Sequence, residues 1–90
     1  METVFKKINS TYSVSNESES VKMDGQLVYG EKIDSLNLGV YSLEGDYLGN
    51  VSYQEYGENN TSLNCSVGME YMMPAITLLQ VIIADSRNIK

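Results

Sequence analysis

The side chains of this sequence that can do chemistry are mainly carboxylates and phenols. There are 12 Asp and Glu residues, 7 tyrosines, one cysteine (Cys65) and no histidine. Zinc and transition-metal sites draw mostly on His and Cys, so their usual ligands are missing. Glu44 and Asp46 flank Gly45 but lack the spaced oxygen ligands of a calcium loop. No metal and no cofactor is expected. Without histidine, a serine or cysteine nucleophile needs a lysine or carboxylate as base. Cys65 holds an inward position in an alternating segment, where a small buried hydrophobe is the plain reading. Paired carboxylates remain: Glu44, Asp46, Glu55 and Glu58 would have to converge, with one buried enough to keep its proton. Their turn and loop settings point instead to solvated groups. The 7 glycines stand singly at turns, not in a phosphate-cradling pattern. No catalytic residue is assigned.

Charge narrows the partners. The net charge is −6, and the basic residues are Lys6, Lys7, Lys22, Lys32, Arg87 and Lys90. Between Ile33 and Ser86 there is none, against Asp34, Glu44, Asp46, Glu55, Glu58, Glu70 and Asp85. Phosphate binding rests on Lys and Arg, so direct nucleic-acid binding is not expected. An anionic membrane surface repels the same region. The apolar stretch from Met72 to Ala84 is too short to span a bilayer. One cysteine allows no intrachain disulfide and permits a reducing compartment. The opening METVFKKINS lacks the apolar core of a signal peptide, and the Asn-x-Ser/Thr triplets then reflect composition alone. A cytoplasmic setting is expected. Only two alanines, one proline and one arginine beside eight asparagines fit a low-GC coding bias, as in a low-GC bacterium, its phages or its mobile elements.

The elements that must position these residues follow from periodicity. At 90 residues the chain is one small domain with a modest core. Thr3–Ile8 and Thr11–Ser15 alternate as strand, with Val4, Ile8, Tyr12 and Val14 of one parity, in a single bent strand or a hairpin turning at Asn9-Ser10. Asn16–Ser20 reads as a loop. Val21–Tyr29 is a second β region in which Asp24-Gly25 is either a turn or a bulge. Leu36–Leu43 and Tyr47–Tyr56 form a hairpin around Glu44-Gly45-Asp46. Parity across it groups Leu36, Leu38, Val40, Tyr47, Val51 and Tyr53 on a core face. The opposite face carries Tyr41, Leu43, Leu48 and Tyr56 among Asn37, Asn50, Ser52 and Gln54. Thr61–Val67 is a half-buried strand with Leu63, Cys65 and Val67 inward.

From Tyr71 onward the period changes. Tyr71, Met72, Ala75, Ile76, Leu78, Leu79, Ile82 and Ile83 fall on one arc of a helix, with Val81 the exception and Pro74 expected in the first turn, where its missing N–H is harmless. The whole is α+β: an antiparallel sheet of about five or six strands, followed by one C-terminal amphipathic helix laid on one face. One helix covers two or three strands, so apolar side chains beyond its reach stay wet unless another chain covers them.

Function is read from the surface. Tyrosine joins large apolar area to a polar tip and suits interfaces. Tyr41, Leu43, Glu44, Asp46, Leu48, Glu55, Tyr56 and Glu58 make up the candidate partner-binding surface. The expected role is non-enzymatic: a protein-binding, inhibitory module that occupies a basic surface of another protein, where opposite charge speeds encounter. Phage or mobile-element inhibitors of host defence or nucleic-acid-processing proteins use such surfaces, as do toxin-neutralising immunity proteins. The alternatives are a homo-oligomer enclosing a small ligand and, last, a small carboxylate-dependent enzyme with a buried Asp or Glu in a pocket.

Overall fold

The computed structural model describes residues 3–8, 11–57 and 59–88. Six strands follow in order: β1 (Val4–Ile8), β2 (Thr11–Glu17), β3 (Val21–Tyr29), β4 (Ile33–Ser42), β5 (Tyr47–Gly57) and β6 (Asn60–Val67). Each pairs antiparallel with its sequence neighbour, so the sheet order is the chain order. Helix α1 (Met69–Ser86) then returns across one face, against β2, β3 and β6. This is the expected α+β arrangement of a sheet and a single helix. No helix is long and apolar enough to cross a membrane among the described residues.

Alternation decides which face the helix covers. Phe5, Val14, Gly25, Leu38, Val51 and Cys65 line up across the six strands. Tyr12, Leu27, Leu36 and Tyr53 form the next row on the same face. Val14, Leu27, Leu36, Leu38 and Val51 are buried beneath Ala75, Leu78, Leu79 and Ile82 of α1. Each fully buried aliphatic side chain of this kind contributes about 1.5–3 kcal/mol. The other face has no covering element among the described residues and shows Ser13, Gln26, Asn37, Ser52 and Asn64 in one row.

Several local expectations change. Residues 9–10 lie outside the described residues, but β1 and β2 do form a hairpin. Val4 opposes Ser15 and Phe5 opposes Val14, so parity swaps across the turn. Val4 points away from the helix and is 58% exposed, while Phe5 packs with Val14. The strand β2 runs on through Asn16 and Glu17, shortening the expected loop to a turn at Ser18, whose Oγ accepts the N–H groups of Ser20 and Val21. Asp24 and Gly25 lie within a continuous β3, paired on both sides without a register shift. The bulge of this region falls between Val28 and Tyr29.

The largest correction lies in β5. Tyr41 opposes Tyr47 but Val40 opposes Gly49, leaving Leu48 as the extra residue of a bulge. Parity therefore breaks after the turn. Tyr47, expected in the core, is 63% exposed, whereas Leu48, expected on the open face, packs against the core. Gly49 makes the bulge possible. Its φ is +149°, and a Cβ there would stand 2.0 Å from the Ser66 carbonyl oxygen.

The helix also starts earlier than its periodicity implies. Gly68 precedes it and Met69 is its first residue, so Pro74 sits inside it, beyond the first turn. Pro74 lacks the N–H that would bond the Glu70 carbonyl. Met69 and Met73 in the opening turns are largely exposed, and Met72 partly so. Ser86 is buried at the far end, its Oγ donating to the Ile82 carbonyl at 2.7 Å.

Candidate protein-contact surface

The turn end of the β4–β5 hairpin gathers part of the expected contact surface. Tyr41 faces away from the helix, since Leu38 and Val40 of the same strand face inward. A Cβ on Gly39 would meet the Tyr41 ring at 2.9 Å, so the absent side chain leaves room for the ring to lie back over its own strand. The Tyr47 ring meets it edge-on, with centroids 5.7 Å apart and planes at 67°. Such edge-to-face pairs add about 0.5–1.5 kcal/mol to the area they bury. The bulge creates this pair, because it turns Tyr47 onto the open face opposite Tyr41.

Beyond the rings, the turn presents Leu43, Glu44 and Asp46, all exposed. The Ser42 hydroxyl accepts the Asp46 N–H at 3.0 Å, and the Ser42 N–H donates to the Asp46 carbonyl at 2.8 Å. These bonds fix the tip while its carboxylates remain in solvent. Lys22 opposes Tyr41 on the neighbouring strand, so a lysine shares this end of the face with the acidic turn. Below the tyrosines, Asn37, Gly39, Asn50, Ser52 and Asn64 line a shallow hollow of about 430 Å³ bounded by Tyr47. Its lining is mainly amide and hydroxyl, with Leu38 and Val51 also contributing, and holds no ionisable group except the Tyr47 phenol.

The remaining expected residues lie elsewhere. Leu48 packs into the core, as described above. Tyr56 is 60% exposed near the opposite end of β5, its hydroxyl donating to Gln54 Oε1 at 2.7 Å. Glu58 lies outside the described residues. Glu55 faces the helix side and is engaged within the chain. Its Oε1 accepts the Ile33 N–H at 2.8 Å and an Arg87 N–H at 3.3 Å, and its Oε2 accepts the Tyr53 hydroxyl at 2.9 Å and the second Arg87 nitrogen at 2.5 Å. Arg87 also bonds Tyr29.

This environment shifts Glu55 strongly. The Arg87 hydrogen bonds come first among the causes; the Ile33 N–H and the Tyr53 hydroxyl add to them, and burial opposes. Together they bring its pKa from 4.5 down to about 2. Glu55 is therefore a fixed anion that joins the end of α1 to β3, β4 and β5. Burial and the neighbouring carboxylate raise the Tyr53 phenol above 10.0. Asp46 and Glu55 bracket β5, roughly 25–30 Å apart at about 3.3 Å per residue. The acids of the turn and Glu55 do not converge into a carboxylate pair. Among the described residues, no three His, Cys, Asp or Glu side chains gather as a metal site would require.

Two residues escape the alternation pattern. Tyr47 was hidden by the bulge, whose one sequence signal is Gly49 inside a strand. Asn16 falls in a polar run yet is buried. Its Nδ2 donates to Thr3 Oγ1 at 2.6 Å, and the Thr3 hydroxyl donates to Asp85 Oδ2 at 2.5 Å. The end of α1 is thus held from two sides, through Asp85 and through Arg87. No protein-family model matches this chain, and no curated protein or solved structure matches it.

Proposed function

We propose that the chain is a non-enzymatic protein-binding module that acts by occupying a basic surface of another protein with the turn end of its β4–β5 hairpin. The observation that carries this reading is the Tyr41–Tyr47 ring pair on the uncovered sheet face, next to the exposed Leu43, Glu44 and Asp46. Tyrosines that lose water on contact supply affinity, and the acidic tip attracts a cationic patch at long range. An inhibitory role follows if the occupied patch is one the partner needs for its own substrate.

The fixed backbone supports the same reading. Strand pairing and the Ser42 bonds hold the tip before any partner arrives, which lowers the ordering cost of binding. Affinity capture from the native host, read by mass spectrometry, identifies the partner. Titration of purified partner then tests the surface. Tyr41→Ala, Tyr47→Ala and Glu44→Lys should each weaken binding by at least about tenfold. Glu44→Lys should leave the melting temperature nearly unchanged, and each tyrosine variant should lower it by several degrees, as loss of the ring pair requires, with the chain still folded at the assay temperature. Unchanged binding by all three variants places the contact elsewhere and removes the proposal.

A further inference from the structure

The two edges of the sheet are guarded differently. β1 is 5 residues long and carries Lys6 and Lys7, both exposed. β6 is 8 residues long, lies at the other edge, and is the only strand of the six without a charged residue. It has no proline, and its pairing with β5 is regular from Thr61 to Val67. Natural sheets blunt such edges with charge, proline or bulges, and this one has none of them over that stretch. The helix does not reach the start of the strand either: Leu63 faces the core side yet is 49% exposed.

We propose that β6 pairs antiparallel with β6 of a second copy of this chain, with a two-fold axis at Leu63, joining two sheets into one. A second copy is the occupant because the segment complements itself. A two-fold axis normal to the sheet sets residues of equal parity opposite one another. With the axis at Leu63, that residue meets Leu63 of the partner subunit on the helix side, and two half-wet leucines cover each other. On the open face Ser62 meets Asn64 of the partner subunit, and Asn60 meets Ser66 of the partner subunit. Both are hydroxyl–amide pairs. Charge selects the same edge. Two copies at −6 repel across most of their surfaces, and β6 brings no like charges together. The inference is independent of the hairpin-tip reading, whose residues lie outside β6.

A contact of one strand pair falls at the small end of interface sizes, below roughly 1,200 Å², so the dimer is weak, with Kd of roughly 10–100 µM. Sedimentation and light scattering from about 5 µM to about 1 mM should show the mass rising from 10.0 kDa toward twice that value. Added salt should strengthen the dimer, since it screens the repulsion between the copies. Leu63→Lys should remain monomeric throughout with an unchanged melting temperature, because it opposes two like charges on the axis. In the wild-type chain, backbone amides of the edge should exchange more slowly at high concentration, a readout that needs no variant. Leu63→Cys in a Cys65→Ser background should oxidise to a covalent dimer. A wild type that stays monomeric at about 1 mM overturns the proposal and leaves the edge to an extended segment of another protein. A dimer that Leu63→Lys leaves intact overturns it as well.

Discussion

Replacing Glu55 by Gln tests how the end of α1 is held. The carboxylate accepts four hydrogen bonds, two of them from Arg87. A pKa moved from 4.5 to about 2 corresponds to about 3 kcal/mol at 1.36 kcal/mol per unit. The Glu55 side chain is 10% exposed but that of Arg87 is 46% exposed, so water recovers part of the loss when the pair breaks. The expected cost of Glu55→Gln at neutral pH is therefore about 2 kcal/mol. Because folding depresses this pKa, the stabilisation is complete above the unfolded value near 4.5 and disappears as pH falls through about 2. Urea unfolding of both proteins at several pH values between about 6 and 2 reads this directly. The gap between wild type and variant should close across that interval, while acid effects common to both cancel. Arg87→Ala should show the same pH profile, and the double variant should cost less than the sum of the two. A gap of equal size at both ends of the interval, or one below about 0.5 kcal/mol at neutral pH, would falsify the assignment of Glu55 as the anchor.

Two further substitutions probe the backbone. Gly49→Ala should destabilise by about 3 kcal/mol or more, since the new Cβ meets the β6 backbone in a conformation that L residues avoid; denaturant midpoints check this, and a neutral result would remove the bulge as the reason for Tyr47 exposure. Pro74→Ala should stabilise by about 1 kcal/mol by restoring a helical bond to the Glu70 carbonyl, seen as a rise in melting temperature. A fall would show that the proline ring is needed at the surface hollow it lines with Ser18 and Ser20.

Much of this architecture was legible because each element has one dominant period. Leu36, Leu38 and Val40 alternate with polar residues, and the buried face of α1, Ala75, Leu78, Leu79 and Ile82, recurs at helical spacing. What alternation cannot carry is a single inserted residue. Leu48 shifts everything before it by one position, sending Tyr47 outward and itself inward, so strict alternation exchanges the faces of these two residues. Glu55 was misplaced for a different reason. Its parity matches Val51 and Tyr53, but a carboxylate on the core side becomes plausible only once Arg87, 32 positions away, is known to reach it. Pro74 lies deeper in the helix than periodicity implies because the start of α1 carries methionines that remain in solvent, and a wet apolar turn gives no periodic signal. Val4 failed by parity too, since a hairpin whose opposed residues sum to an odd number exchanges its faces.

The unbroken neighbour-to-neighbour order of the strands has a consequence for biogenesis. Every β contact joins segments close in sequence, which keeps loop closure cheap and favours rapid hairpin-by-hairpin growth of the sheet. The lid on its greasy side, however, is translated after all six strands. A nascent chain halted near Gly68 would therefore display Leu27, Leu36, Leu38 and Val51 to solvent or to a chaperone, and quality control would meet the sheet as a sticky half-molecule until synthesis supplies its cover.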